Sequence, residues 1–123
     1  MKSTLPYLSP RQKGREAEQL AVSFLKEKGL KILQQNYSTK YAEIDIIARK
    51  KKTIIAIEVK SGIFDLEFLV SRIDLKKRKK IERALEQYCQ ENDYLSFYLR
   101  FDIIIILMPQ KEIYYYPEES FDE

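Results

Sequence analysis

The chain has 123 residues, 45% hydrophobic and 33% charged, with a net charge of +3, one cysteine and no histidine. This is the composition of one ordinary soluble globular domain. It excludes Ser-His-Asp and Cys-His catalysis and histidine–zinc sites, leaving carboxylates, lysines, tyrosines or a hard metal ion for any chemistry.

Residues 1–13 carry two prolines and no periodicity, and read as a flexible arm. From Gly14 to Lys28 the pattern is helical, with Ala17, Leu20, Ala21, Phe24 and Leu25 on one side and Gly29 as the stop. Lys31 to Tyr37 alternates as a first strand, and Asn36 to Lys40 reads as a turn. Glu43 to Lys60 reads as a hairpin: E-I-D-I-I-A, a basic turn R-K-K-K, then T-I-I-A-I-E-V-K. Ser61-Gly62 breaks the second strand, and a loop runs to about Ile73. Its apolar residues (Ile63, Phe64, Leu66, Phe68, Leu69) suit packing on a partner or on a second copy in a homo-oligomer.

Asp74 is placed to cap a second helix running to about Gln90, with Ile81, Ala84, Leu85 and Tyr88 as its buried stripe. Residues 97–107 form a strand whose run Ile103 to Ile106 suits burial on both faces. Met108 to Lys111 is a turn, and Glu112 to Tyr116 a short last strand that Pro117 ends. The expectation is a single α/β domain over 14–117, a mixed sheet flanked by helices in the order α-β-β-β-α-β-β, with an acidic tail at 118–123. No apolar run approaches the roughly 20 residues that span a bilayer. The lone Cys89 and the lack of a secretory signal fit a cytoplasmic location.

The central hairpin carries the chemistry. On alternating strands Glu43 shares a face with Asp45, and Glu58 with Lys60, amid residues that are otherwise almost all apolar. Charges in such a setting are costly unless they pair or bind a metal. Asp45 and Glu58 are suitable oxygen ligands for Mg²⁺, to which the Val59 carbonyl could add a third oxygen. Lys60 is placed to activate water or stabilise negative charge. The plainer reading of Glu58 and Lys60 is an ion pair on a half-exposed strand.

Glu18 falls on the flank of the first helix's apolar face, either drawn toward the metal site or salt-bridged nearby. Lys77 lies one turn before Ile81, close to the middle of the second helix's stripe. From there it either reaches the carboxylates or snorkels into water. The basic cluster Arg72, Lys76, Lys77, Arg78, Lys80 and Arg83 suggests a polyanion, with a solvated helix face as the alternative. Asp102, in R-F-D, suits pairing with a basic residue across the sheet.

These motifs together resemble the YraN-type (UPF0102) family of predicted endonucleases, related to Holliday junction resolvases within the PD-(D/E)XK nuclease fold. The resemblance is carried by G-R-E-A-E-Q-L-A at Gly14 to Ala21, Asn36-Tyr37, E-I-D-I-I-A at Glu43 to Ala48, and I-E-V-K at Ile57 to Lys60. It continues through Lys77, Tyr88 and R-F-D at Arg100 to Asp102. Ala17, Ala42 and Gly62 depart from the family's usual residues. The resemblance implies a restriction-endonuclease-like core with Asp45, Glu58 and Lys60 as signature residues, Glu18 as an accessory acid, and Glu43 and Lys77 as further family positions.

The function expected from residues and resemblance together is Mg²⁺- or Mn²⁺-dependent cleavage of DNA, including branched or structured DNA. Asp45, Glu58 and Glu18 would serve the metal, and Lys60 the attacking water. The alternative is a catalytically silent nucleic-acid- or protein-binding module on the same fold.

Overall fold

The computed structural model describes residues 10–63 and 75–120. The element order is helix α1 (Pro10–Glu27), strands β1 (Lys31–Ser38), β2 (Glu43–Lys50) and β3 (Thr53–Gly62), helix α2 (Leu75–Glu91), and strands β4 (Tyr98–Leu107) and β5 (Glu112–Ser120). The strands form one five-stranded sheet in sequence order. Only β3 and β4 run parallel, joined through α2; the other neighbours are antiparallel. This is the mixed α/β domain that the hydrophobic periods predicted. Among the described residues no helix is long and apolar enough to cross a membrane.

The central strands are rich in isoleucine because both of their faces are covered. Ala17, Ala21 and Leu25 of α1 pack on Ile46, Ala48, Ile55, Ile57, Ile104 and Ile106. Ile81, Ala84, Leu85 and Tyr88 of α2 pack on Ile47, Ile54, Ala56, Ile103 and Ile105. The run Ile103 to Ile106 thus divides alternately between two cores, as a doubly buried strand must.

Both helices end through the same device. Gly29, at φ 87, lets its own N–H reach Lys26 O and the Leu30 N–H reach Leu25 O, while Leu30 and Leu25 meet in the core. Asp93, at φ 62, plays the glycine's part after α2, where the Tyr94 N–H reaches Cys89 O and Asn92 Nδ2 donates to Tyr88 O.

Several boundaries differ from the sequence reading. α1 begins at Pro10, because proline is well suited to a first helical turn whose N–H would be unpaired anyway. β1 continues through Asn36 to Ser38, and Thr39 makes the turn: its Oγ1 accepts from the Tyr41 and Ala42 N–H groups. The basic turn shrinks to Lys51-Lys52, with Arg49 and Lys50 still in β2. β5 runs past Pro117, since an edge strand can hold a proline whose missing N–H faces outward. Pro117 pairs with Asp102 next to a register shift. Residues 1–9, 64–74 and 121–123 lie outside the described residues, and with them most of the expected arm, the apolar loop, Arg72, Asp74 and part of the acidic tail.

Asp102 is fully buried beneath α1, and a basic partner stands on its own strand. Arg100 stands two residues earlier on the same strand face and grips both carboxylate oxygens at 2.9 Å. Tyr115 of β5 donates its hydroxyl to Asp102 and packs edge-on against Phe24 of α1. The Tyr115 hydroxyl is held far above its ordinary pKa, first by burial and then by Asp102. The network thus pins the outer strand and α1 to β4. Arg100→Ala should cost about 3 kcal/mol in urea unfolding, because it strands a buried carboxylate. A loss below about 1 kcal/mol would mean that Tyr115 alone suffices.

Candidate active site at the splayed ends of two strands

The regular pairing of β2 with β3 runs from Lys50↔Thr53 to Ile46↔Ile57 and goes no further. One residue beyond stands Asp45, whose Oδ2 accepts a 2.8 Å hydrogen bond from the Val59 N–H. A side chain thus takes a main-chain donor at the point where the strands part.

Strict alternation fails at the same place. Ile44 packs in the core under α2 and Ile46 in the core under α1, although they are two residues apart. Asn36, which lies opposite Asp45 on β1, adopts φ 54. β2 is therefore not the regular strand expected around Glu43 and Asp45. The pleat switches sides here, and Asp45 lies at the seam between the faces.

Groups from both faces converge on this seam. From the α1 side comes Glu18, half-buried, with its Oε1 fully enclosed and without a hydrogen-bond partner. Its pKa is raised first by burial, then by Asp45 and Glu43, against a hydrogen bond from Asn36. Among the described residues, the charges that act on Glu18 are of its own sign.

From the α2 side comes Glu58, 7% exposed, whose Oε1 meets Lys60 Nζ at 3.6 Å and Lys77 Nζ in a short contact. Lys77 therefore reaches the carboxylates rather than turning outward. Asp45 itself is raised by burial, while the Val59 N–H opposes this, Glu58 adds to it, Lys77 opposes it and Glu43 adds to it. Asp45 thus couples electrostatically to both sides of the sheet.

Glu18, Glu43, Asp45 and Glu58 act on one another electrostatically at this end, with Lys60 and Lys77 at Glu58. Asn36 was not singled out for this site, although its hydrogen bond acts on Glu18. The signal was its position opposite Asp45, which could be read only after the register was known. Of the other basic residues expected on α2, Lys80 and Arg83 are exposed, and Arg83 lies over the Tyr41 ring at 5.6 Å. Arg78 is half-buried and Lys76 lies in the first turn of α2.

The donor set is all oxygen, which suits Mg²⁺ or Mn²⁺ and no soft metal. The enclosed, unpartnered Glu18 Oε1 and the desolvated Asp45 are the features a cation would relieve. Among the described residues, however, no three acidic side chains already stand in a coordinating group. The set fits the ion in kind and is not closed, with Glu58 turned to its lysines.

The family model described as "Uncharacterised protein family UPF0102" matches residues 17–106. A UPF0102 protein of Thermotoga petrophila is 51% identical over 78 residues, covering 63% of this chain and 71% of its own. One from Fervidobacterium nodosum is 51% identical over 84 residues, 68% of this chain and 59% of its own. One from Clostridioides difficile is 37% identical over 107 residues, 86% of this chain and 94% of its own.

The raised carboxyls set a pH dependence. A folded chain that holds Asp45 and Glu18 above their ordinary values of 3.8 and 4.5 binds protons more tightly than the unfolded chain. Their contribution is most favourable below those values, and is lost as pH rises through the folded-state pKa values. Asp45→Asn keeps an acceptor for the Val59 N–H and removes the charge. It should raise the melting temperature near pH 7 by roughly 3–5 °C, the size of a kcal/mol-scale gain, and the gain should fade toward pH 4. A pH-independent gain in calorimetric melts would rule out the desolvated charge as the cause.

Proposed function

The chain belongs to the UPF0102 family, and from the site at its splayed strands we propose that it is a metal-dependent endonuclease acting on DNA. The observation that carries this reading is the convergence of Glu18, Asp45 and Glu58 with Lys60 and Lys77 where β2 and β3 part. Four acids and two amines without histidine, partly drawn from water, suit a metal ion and a phosphate.

Asp45, Glu58 and Glu18 would hold a Mg²⁺ or Mn²⁺ ion, with Glu43 supporting them at the rim. When bound, such an ion polarises a phosphodiester and lowers the pKa of water. Lys60, near Glu58, is 31% exposed in its side chain, so its ammonium can meet both solvent and a substrate phosphate. Its charge orients the attacking water and offsets the negative charge that builds on the phosphate. Lys77 holds Glu58 in place and supplies a second positive charge to the same region. The exposed cations on the outer side of α2 are suited to a phosphate backbone beyond the cleft. Branched or otherwise structured DNA is the first substrate class to test.

One observation favours a second reading, a silent binding module on the same scaffold. Both lysines meet Glu58 Oε1, and an acid so engaged is a weaker ligand for a cation. Metal titration separates the two readings. In the nuclease reading Mn²⁺ binds the wild-type chain in calorimetry and Glu58→Gln abolishes that heat. Cleavage of nicked, branched and duplex DNA should appear only with Mg²⁺ or Mn²⁺, and Lys60→Ala should slow it at least a hundredfold, about 2.7 kcal/mol of barrier. No divalent-ion heat in the wild type leaves the silent module. Undiminished cutting by Lys60→Ala would expose a contaminant.

A further inference from the structure

The other end of the sheet carries a surface that the carboxylate site does not use. β3 rises from Thr53 to Lys60, so the β2–β3 turn lies roughly 23 Å from Lys60 at the usual strand rise. Lys50, Lys51 and Lys52 are exposed there in succession, and Lys31 lies beside Arg49 on the neighbouring strand. Lys28, also exposed, directly follows α1 in the turn before β1. Exposed acids border the surface at Glu27, which directly precedes Lys28, and at Asp93, shortly before Tyr98.

Aromatic rings are interleaved with these cations. The Arg49 guanidinium lies 4.7 Å from the Phe97 ring and 5.8 Å from Tyr94, and its Nε donates to Lys51 O at 2.9 Å. Lys52 Nζ lies 5.2 Å from the Phe97 ring. Tyr98 is 62% exposed. It stands across from Thr53, which stands across from Lys50. Directly opposite residues share a sheet face, so the Tyr98 and Lys50 positions lie on one face about 10 Å apart, two strand spacings, with Thr53 between them.

The turn is poorly made for stability alone. Lys51 takes φ 54, which glycine or asparagine adopts far more easily, and three like charges adjoin.

We propose that this end of the sheet is a second nucleic-acid-binding surface, specific for single strands, with Lys50, Lys51 and Lys52 on phosphates and Tyr98 stacking a base. An exposed ring beside ammonium groups matches the alternation of base and phosphate in an unpaired strand. An acidic polypeptide would be served by the charges and would leave the ring unused. This surface works whether or not the carboxylate end cuts.

The test is fluorescence anisotropy on the full chain in EDTA, with labelled oligothymidylate and oligouridylate of about 20 nucleotides. EDTA removes any divalent ion, so binding here and cutting at the other end are read separately. Lys50→Ala/Lys51→Gly/Lys52→Ala should weaken binding at least tenfold. It should also make the slope of log affinity against log salt shallower by about 2, for three lost phosphate contacts. Its melting temperature should not fall, because glycine relieves the strained turn position. Tyr98→Ala should weaken binding about tenfold and leave the salt slope unchanged. A preference for the DNA or the RNA oligomer names the natural strand, and either one supports the proposal. No binding by the wild-type chain, or wild-type affinity and slope in the triple variant, overturns it. So does equal competition by polyglutamate together with an unaffected Tyr98→Ala, which would assign the surface to an acidic protein.

Discussion

The hydrogen bond from the Val59 N–H to Asp45 is the contact on which the site depends. A regular ladder gives every inner N–H a carbonyl, and a buried N–H left without one costs free energy. Where β2 and β3 separate, the carboxylate supplies the missing acceptor. The strands can therefore part without stranding a donor, and the gap they leave is lined by acids. Substituting an apolar residue at Asp45 would remove both a charge and the reason that the gap is tolerated.

That arrangement explains the electrostatics. Burial alone would push both Asp45 and Glu18 toward their neutral forms, and their neighbours' negative charges push the same way. Lys77 and the Val59 N–H restrain Asp45, and Asn36 restrains Glu18. Glu58 is differently placed, with two ammonium groups at one oxygen. The acids divide accordingly: Glu58 is already compensated, whereas Asp45 and Glu18 sit in a field that favours a proton or a cation. Functional sites are where such unresolved electrostatic cost concentrates. The Arg100–Asp102–Tyr115 network shows the contrasting solution, a buried carboxylate paired at both oxygens and closed off by a ring.

Features set by a period were legible in the sequence. The stripes of α1 and α2 and the alternation of Ile103 to Ile106 follow from 3.6 and 2 residues per repeat, and Lys77 could be placed because it stands one turn before Ile81. The carboxylates at Asp45 and Glu58 were legible because charge is rare within such apolar runs. What failed depended on neighbours that a linear reading does not supply. Pro117 fits within β5 only because β5 is an edge, and strand order is a property of the sheet. Asn36 reads as a turn residue, since asparagine tolerates positive φ, yet it uses that freedom inside a strand. Asp102 finds Arg100 on its own strand because residues two apart share a face, which spares a search across the sheet.

The two ends of β3 differ in how they handle charge. At one end like-charged acids are crowded, partly enclosed and tied to the backbone; at the other, lysines are crowded, exposed and carried on a strained turn. Enclosure strengthens an electrostatic interaction and makes it specific to a small ion or a reacting group. Exposure weakens each contact and lets many act together along a flexible polyanion. A short strand joins two such ends at a fixed separation, and neither can shift without disturbing the doubly covered isoleucines between them.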